Sequence, residues 1–168
     1  QPSDSPPERT VFVECTTAIQ ADGIAPAGLL TSVRTSITTD PITGLSRQPL
    51  GLTDDTLYVL AITRTTLYIT ITGLSVPAGT LADTQAEILT GLTNYFLGLQ
   101  PYVDGLDFIA DKNDAVTTSS VSTVVQDIVR ARGGSVNKVQ FGLSPGVFID
   151  YYLLDPGEKG KLGGIIYA

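Results

Sequence analysis

Leu67-Tyr68-Ile69-Thr70-Ile71-Thr72, followed after a Pro/Gly-containing break by Leu81–Leu99 (LADTQAEILTGLTNYFLGL), decides the fold. In the hexapeptide, Leu67, Ile69 and Ile71 alternate with Tyr68, Thr70 and Thr72, the period of two that puts one face of a strand in a core. In the longer stretch Ile88, Leu89, Leu92, Tyr95, Phe96 and Leu99 recur at helical spacing, which predicts an amphipathic helix with one apolar stripe. Asp83 and Glu87 near its start complement the helix dipole, and Pro101 ends it.

Downstream, Val121, Val124, Val125, Ile128 and Val129 form a second helical face over about 120–132. Ser119 or Ser120 is its expected N-cap, and Gly133-Gly134 lie beyond its end. β-branched residues are weak helix formers, so packing must hold this segment. The last third returns to strands at Val136–Phe141, Val147–Leu154 and Leu162–Tyr167, punctuated by Ser144-Pro145-Gly146 and Asp155-Pro156-Gly157. Pro presets φ and Gly accepts positive φ at both joints.

Upstream, Thr56–Ile62 reads as another strand, and Thr63–Thr66 as the turn of a hairpin with Leu67–Thr72, although no Asn-Gly signal is present. The alternation of Val11, Val13 and Cys15 against Phe12, Glu14 and Thr16 predicts a strand near the N-terminus. Leu29, Leu30, Val33 and Ile37 after Pro26 predict a short helix. Residues 40–55, with two Pro and two Gly, read as a long turn region. Residues 1–9 (QPSDSPPER) hold too little apolar surface to order, and read as a flexible linker or tail.

The resulting expectation is an α+β fold, with a mixed or antiparallel sheet carrying two to three helices on one face. The regions are 10–72, a strand/helix/turn segment with a hairpin, and 73–168, a helix-helix-strand segment, compatible with one continuous domain.

Composition narrows the chemistry. The chain has no His among its 168 residues, which removes the commonest general base and a frequent metal ligand. Ten basic against 17 acidic residues give a net charge of -7, unsuited to a phosphate-binding surface, and Arg34, Arg47, Arg64, Arg130 and Arg132 are dispersed. No nucleic acid, membrane or cofactor is expected as a partner. Cys15, the single cysteine, cannot pair internally and reads as a buried structural thiol. The chain has no Met, which suggests an excerpt of a longer or processed protein.

Three local patterns invite a functional reading. Asp104, Asp107, Asp111, Asn113 and Asp114 offer oxygens to a hard cation, but their spacing matches no EF-hand loop, so no metal site is assigned. Gly157-Glu158-Lys159-Gly160-Lys161 lacks the glycine spacing and the Ser/Thr of a phosphate loop, and reads as a charged turn between the final strands. Tyr151 and Tyr152 should face opposite sides of their strand, one toward the core and one toward an interface, where Tyr is favoured. Tyr151, Tyr152, Glu158, Lys159 and Lys161 are therefore the candidate interface residues, and no catalytic residue is assigned.

A further pattern spans nearly all of residues 10–168. It comprises Asp40-Pro41, Thr43-Gly44, Ser46–Gly51 (SRQPLG) and Asp54–Val59 (DDTLYV), then Ile71–Leu74 (ITGL) and Tyr95-Phe96. It continues with Gln100-Pro101-Tyr102, Gly105-Leu106, the helix around Val125–Val129, Tyr152-Leu153, Gly157-Glu158, Leu162 and Ile165. Taken in order, these residues resemble the C-terminal part of baseplate J-like proteins of contractile phage tails.

The resemblance implies a non-enzymatic wedge component of the tail baseplate, the disc that surrounds the hub and holds tube, sheath and fibres. It implies other baseplate and tail proteins as partners, copies around a sixfold axis, and a place in the virion after assembly in the host cytoplasm. Contacts are expected on the exposed faces of the two long helices and on the segment Asp155–Lys161. Longer family members carry an N-terminal portion that this chain lacks. Two other readings are a virion binding or fibre-adaptor module, which calls for a concave apolar pocket, and a metal-dependent hydrolase, which calls for convergent carboxylates.

Overall fold

The computed structural model describes residues 9–47, 56–100 and 113–168, and within them lie three helices and eight strands in an α+β arrangement. Backbone contacts divide the chain into two units, Gln1–Thr63 and Arg64–Ala168. The strand Leu67–Thr72, grouped by sequence with the region 10–72, thus packs with the later helices.

In the first unit β1 (Arg9–Val13) lies parallel to β2 (Leu57–Ala61), with Arg9 opposite Leu57 and Val13 opposite Ala61. Parallel strands need a crossover, and α1 (Ala27–Thr38) lies within it. Leu29, Leu30, Val33 and Ile37 give α1 its half-buried face, and Arg34 Nη1 donates to the Leu57 carbonyl at 2.8 Å. Cys15 is buried as expected, its thiol donating to the Ile24 carbonyl at 3.4 Å. The resemblance motif at Asp40 has a local physical cause. The Asp40 carboxylate accepts from the Ile42 and Thr43 amides and caps a turn closed by Gly44 at φ 67°.

The hairpin expected across Thr63–Thr66 does not form. These residues belong to β3 (Thr63–Thr72), which runs straight through them and pairs with strands far away in sequence, whereas β2 pairs with β1. Thr63, Thr65 and Thr66 are β-branched and extend a strand more readily than they turn one.

β3 is an interior strand of the four-stranded sheet in the second unit, whose order is β6-β5-β3-β8. β5 (Lys138–Ser144) runs antiparallel to β3, with Ile69 opposite Phe141 and Ile71 opposite Val139. β6 (Val147–Ile149) returns antiparallel to β5 across the Pro145-Gly146 turn, with a register shift between Phe141 and Ser144. At that shift the backbones come so close that a Cβ on Gly142 would fall 1.6 Å from the Val147 carbonyl oxygen. β8 (Glu158–Tyr167) follows β3 in the same direction, since Thr65 meets Glu158 at one end and the Ile71 carbonyl accepts from the Ala168 amide at the other. The sheet is therefore mixed.

One face of this sheet carries α2 (Leu81–Gly98) and α3 (Thr118–Ala131), α2 against β8 and α3 against β5. Leu67, Ile69 and Ile71 of β3 and Phe141 of β5 are fully buried against Ile88, Leu92 and Phe96 of α2 and Val121, Val125 and Val129 of α3. Each such side chain contributes about 1.5–3 kcal/mol on leaving water, enough to hold even the β-branched α3. Leu89, expected on the buried stripe of α2, is 52% exposed, so that stripe is narrower than its sequence suggests. Thr117, not Ser119 or Ser120, caps α3, its hydroxyl accepting from the Ser120 amide at 3.0 Å. Glu87 does more than complement a dipole: it accepts from Arg132 Nε at 2.9 Å and ties α2 to the end of α3.

The expected strand Val147–Leu154 is broken at Asp150. Beyond it β7 (Tyr151–Leu153) leaves the main sheet and pairs antiparallel with β4 (Ala115–Thr117), placing Tyr152 opposite Val116 and Tyr151 opposite Thr117.

Candidate functional site

The candidate residues separate into a buried cluster and an exposed one. Gly157, at φ 78°, completes the turn that starts at Asp155, and the Glu158 amide donates to the Asp155 carbonyl at 2.8 Å. The turn therefore ends at Gly157, before the charged residues begin. Glu158, Lys159 and Lys161 belong to β8, not to a charged turn between strands.

Glu158 is only 6% exposed. Its Oε1 accepts from Tyr152 Oη at 2.5 Å and from Thr65 Oγ1, and its Oε2 accepts from the Asp155 amide at 2.9 Å. Burial alone would push this carboxyl up. The donors from Thr65, Tyr152 and the Asp155 amide outweigh burial and hold it below the ordinary range of a glutamate. Tyr152 is shifted the other way: burial first, then the hydrogen bond to Glu158, raises its phenol. A carboxylate engaged by three donors and stabilised as the anion is poorly suited to take up a proton at neutral pH. The cluster joins β3, β7 and β8 and acts as a structural bolt. Of the candidate interface residues, Glu158 is thus withdrawn from the surface and Tyr152 is half-buried against the core.

Tyr151 lies on the outer side of β7 and is 56% exposed, Lys161 is exposed, and Lys159 is half-buried. Tyr151 shares its stretch of chain with Leu143, Val147, Phe148 and Leu153, all more than 40% exposed. Five large apolar side chains within eleven residues over β5, β6 and β7 form the densest exposed apolar segment among the described residues. Sequence periodicity missed it, because three-residue strands are too short to show alternation and the bulge at Gly142 resets the pattern.

A shallow groove of about 320 Å³ runs between α2 and β8, lined by Gln85, Ala86, Leu89, Ile165 and Tyr167. At the start of α3, Tyr95 Oη is buried with no hydrogen bond of good geometry. Burial raises its phenol, and the nearby Ser120 hydroxyl only partly offsets that.

Asp104, Asp107 and Asp111 lie outside the described residues. Asp114 is buried and Asn113 is exposed, its amide donating to the Gly98 carbonyl at 3.0 Å. Among the described residues no three His, Cys, Asp or Glu side chains converge as metal ligands, and no helix is long and apolar enough to cross a membrane. No protein-family model matches this chain, and no curated protein matches it in sequence.

Proposed function

We propose that this chain is a structural component of a contractile-tail baseplate, working through protein–protein contacts and not through turnover of a substrate. In this reading copies stand around the sixfold tail axis, each packed against other baseplate and tail proteins in the wedge disc of the virion.

The observation that carries the proposal is the exposed apolar run Leu143, Val147, Phe148, Tyr151 and Leu153 beside a fully packed core. Large apolar groups left in water on a well-ordered unit favour burial against another protein, and Tyr and Phe are enriched in such contacts. The ordered sequence pattern from Asp40 to Ile165 gives the kind of assembly. The groove between α2 and β8 is open and shallow, which suits a flat contact better than the deep pocket of a receptor-binding module.

Cryo-microscopy of contractile tails assembled with this chain provides the test. The expected result is density for it in the disc around the tube, with Tyr151 and Phe148 covered by a neighbouring subunit. Tails that assemble and contract normally without the chain, or density for it outside the baseplate, would overturn the proposal.

A further inference from the structure

The exposed apolar segment of Leu143, Val147, Phe148, Tyr151 and Leu153 lies in a part of the molecule that carries one sign of charge. Residues 113–129 and 139–158, which supply β4, most of α3, β5 beyond Lys138, β6 and β7, contain no Lys, Arg or His. The exposed charges in these stretches are Asp127, Asp150 and Asp155. Asp150 follows Phe148 closely in the chain and stands at the start of α3. There its carbonyl accepts from the Thr118 amide at 3.1 Å and its Oδ1 from the Thr118 hydroxyl at 3.4 Å.

The cations of this unit's described elements are placed elsewhere. Arg130 and Arg132 sit at the other end of α3, a helix of 14 residues and so about 20 Å long. Lys138 opens β5 and Ser144 closes it, a run of 7 residues that spans about 20 Å. Lys159 and Lys161 alternate with Glu158 and Gly160, which face Thr65 and Phe96 in the core, and therefore project from the opposite face of the main sheet. Exposed charges further apart than a Debye length, about 8 Å at physiological salt, are largely screened. The field over the apolar segment is thus set by its own aspartates.

That field selects the occupant. A second copy laid on the same segment would set Asp150 and Asp155 against their own kind, and the phosphates of a nucleic acid or an anionic lipid would be repelled. A protein surface with an apolar centre and Lys or Arg at its margin meets both demands, covering the apolar side chains while its cations reach the aspartates. We propose that the segment over β5, β6 and β7 docks a neighbouring protein through such a surface, with Phe148 and Tyr151 as anchors and Asp150 as the charge that discriminates between partners. The inference rests on the reading of this segment as a protein contact and adds the chemistry of what covers it.

Two synthetic amphipathic helices with the same Leu/Phe face, one flanked by Lys and one by Glu, serve as probes, with fluorescence anisotropy read against the 168-residue chain. The Lys-flanked helix should bind about tenfold or more tighter than its Glu counterpart, and raising the salt from about 0.05 to 0.5 M should narrow that gap. Phe148→Ser should weaken it about tenfold and Asp150→Asn about three- to fivefold, both with unchanged circular dichroism. Asp83→Asn removes the same charge at the far end of α3, near Arg132, and should leave binding as it was. Equal binding of the two helices, binding of neither, or parental affinity in Phe148→Ser would overturn the proposal. So would an equal loss in Asp83→Asn, which would mark a response to net charge alone, or Phe148-dependent binding to phosphatidylcholine vesicles, which would make lipid the occupant. The expected pattern in a chain that is missing from the tail disc would remove the baseplate reading and keep this one. A chain found in the disc that fails to tell the helices apart would do the reverse.

Discussion

Tyr152 Oη donates a 2.5 Å hydrogen bond to Glu158 Oε1, and the two residues belong to strands of different sheets. The pair fastens the small β4–β7 ribbon to the edge of the main sheet. A hydrogen bond to a buried charge is worth about 1.5–3 kcal/mol. Tyr152→Phe should therefore lower unfolding free energy by about 1.5–3 kcal/mol in urea, with the slope of the transition unchanged. A loss near zero would mean that the bond is not made in solution.

The same contact sets a pH dependence. Glu158 titrates below its ordinary value near 4.5 in the folded protein, so its stabilisation is present above that value and disappears as pH falls through the lowered folded pKa. Asp40 and Glu87 are lowered as well, Asp40 chiefly by the Ile42 amide and Glu87 by Arg132, so the parent protein carries several acid-sensitive groups. Glu158→Gln should give a visibly flatter stability curve below pH 4.5 than the parent. Parallel curves for the two proteins would contradict the assignment. Tyr152 has the opposite sign: its stabilisation holds below the ordinary phenol value near 10 and is lost as pH rises through the raised folded pKa.

On β8, Gly163 allows a close approach. A Cβ there would lie 2.3 Å from Thr66 Cγ2 and 3.0 Å from the Tyr68 ring. Gly163→Ala should cost about 1–3 kcal/mol through overpacking. Adding Thr66→Ser, which deletes the offending methyl group, should recover much of that loss in a double-mutant cycle. Strict additivity of the two changes would show that the clash is relieved elsewhere.

Phe96 and Leu89 share α2 but have opposite fates, 1% against 52% exposed. Phe96→Ala should cost about 3–5 kcal/mol by leaving a cavity between the helices and the sheet. Leu89→Ala should stay within about 0.5 kcal/mol, as for ordinary surface changes. Thermal unfolding of the two variants side by side would expose any error in the buried stripe.

Removing the cap of α3 is a further local test. Thr117→Ala deletes the acceptor for the Ser120 amide and should cost about 1 kcal/mol. Ser119→Ala, on an exposed position of the first turn, should be close to neutral in the same denaturation experiment.

What the sequence made legible were the elements with long, regular periods. β3 announced itself through Leu67, Ile69 and Ile71, α2 through Ile88, Leu92 and Phe96, and α3 through its valines, because one-sided burial imposes a period that local composition preserves. The pairing of those elements was hidden. Nothing near Thr63–Thr66 says that β3 will take its neighbours from residues 138–167 instead of from β2. Glu158 was misread for a related reason. A carboxylate flanked by Gly157 and Lys159 looks solvated until Thr65, 93 residues earlier, supplies a donor from across the sheet. The exposed Phe148 was equally hidden, and the residues alone leave open which of Tyr151 and Tyr152 faces outward, since a kink at Asp150 decides which side chains turn outward.

The position of β8 in the chain also bears on how the molecule is made. Its ten residues lie against β3, which leaves the ribosome more than eighty residues earlier, so the sheet cannot close while the intervening helices are emerging. Until residues 158–167 arrive, the backbone edge of β3 that β8 pairs with stays open. Long-range closure of this kind is slow and open to aggregation. Nascent chains stalled before residue 158 should therefore engage chaperones and resist compaction, and emergence of β8 should act as the committing step for this sheet.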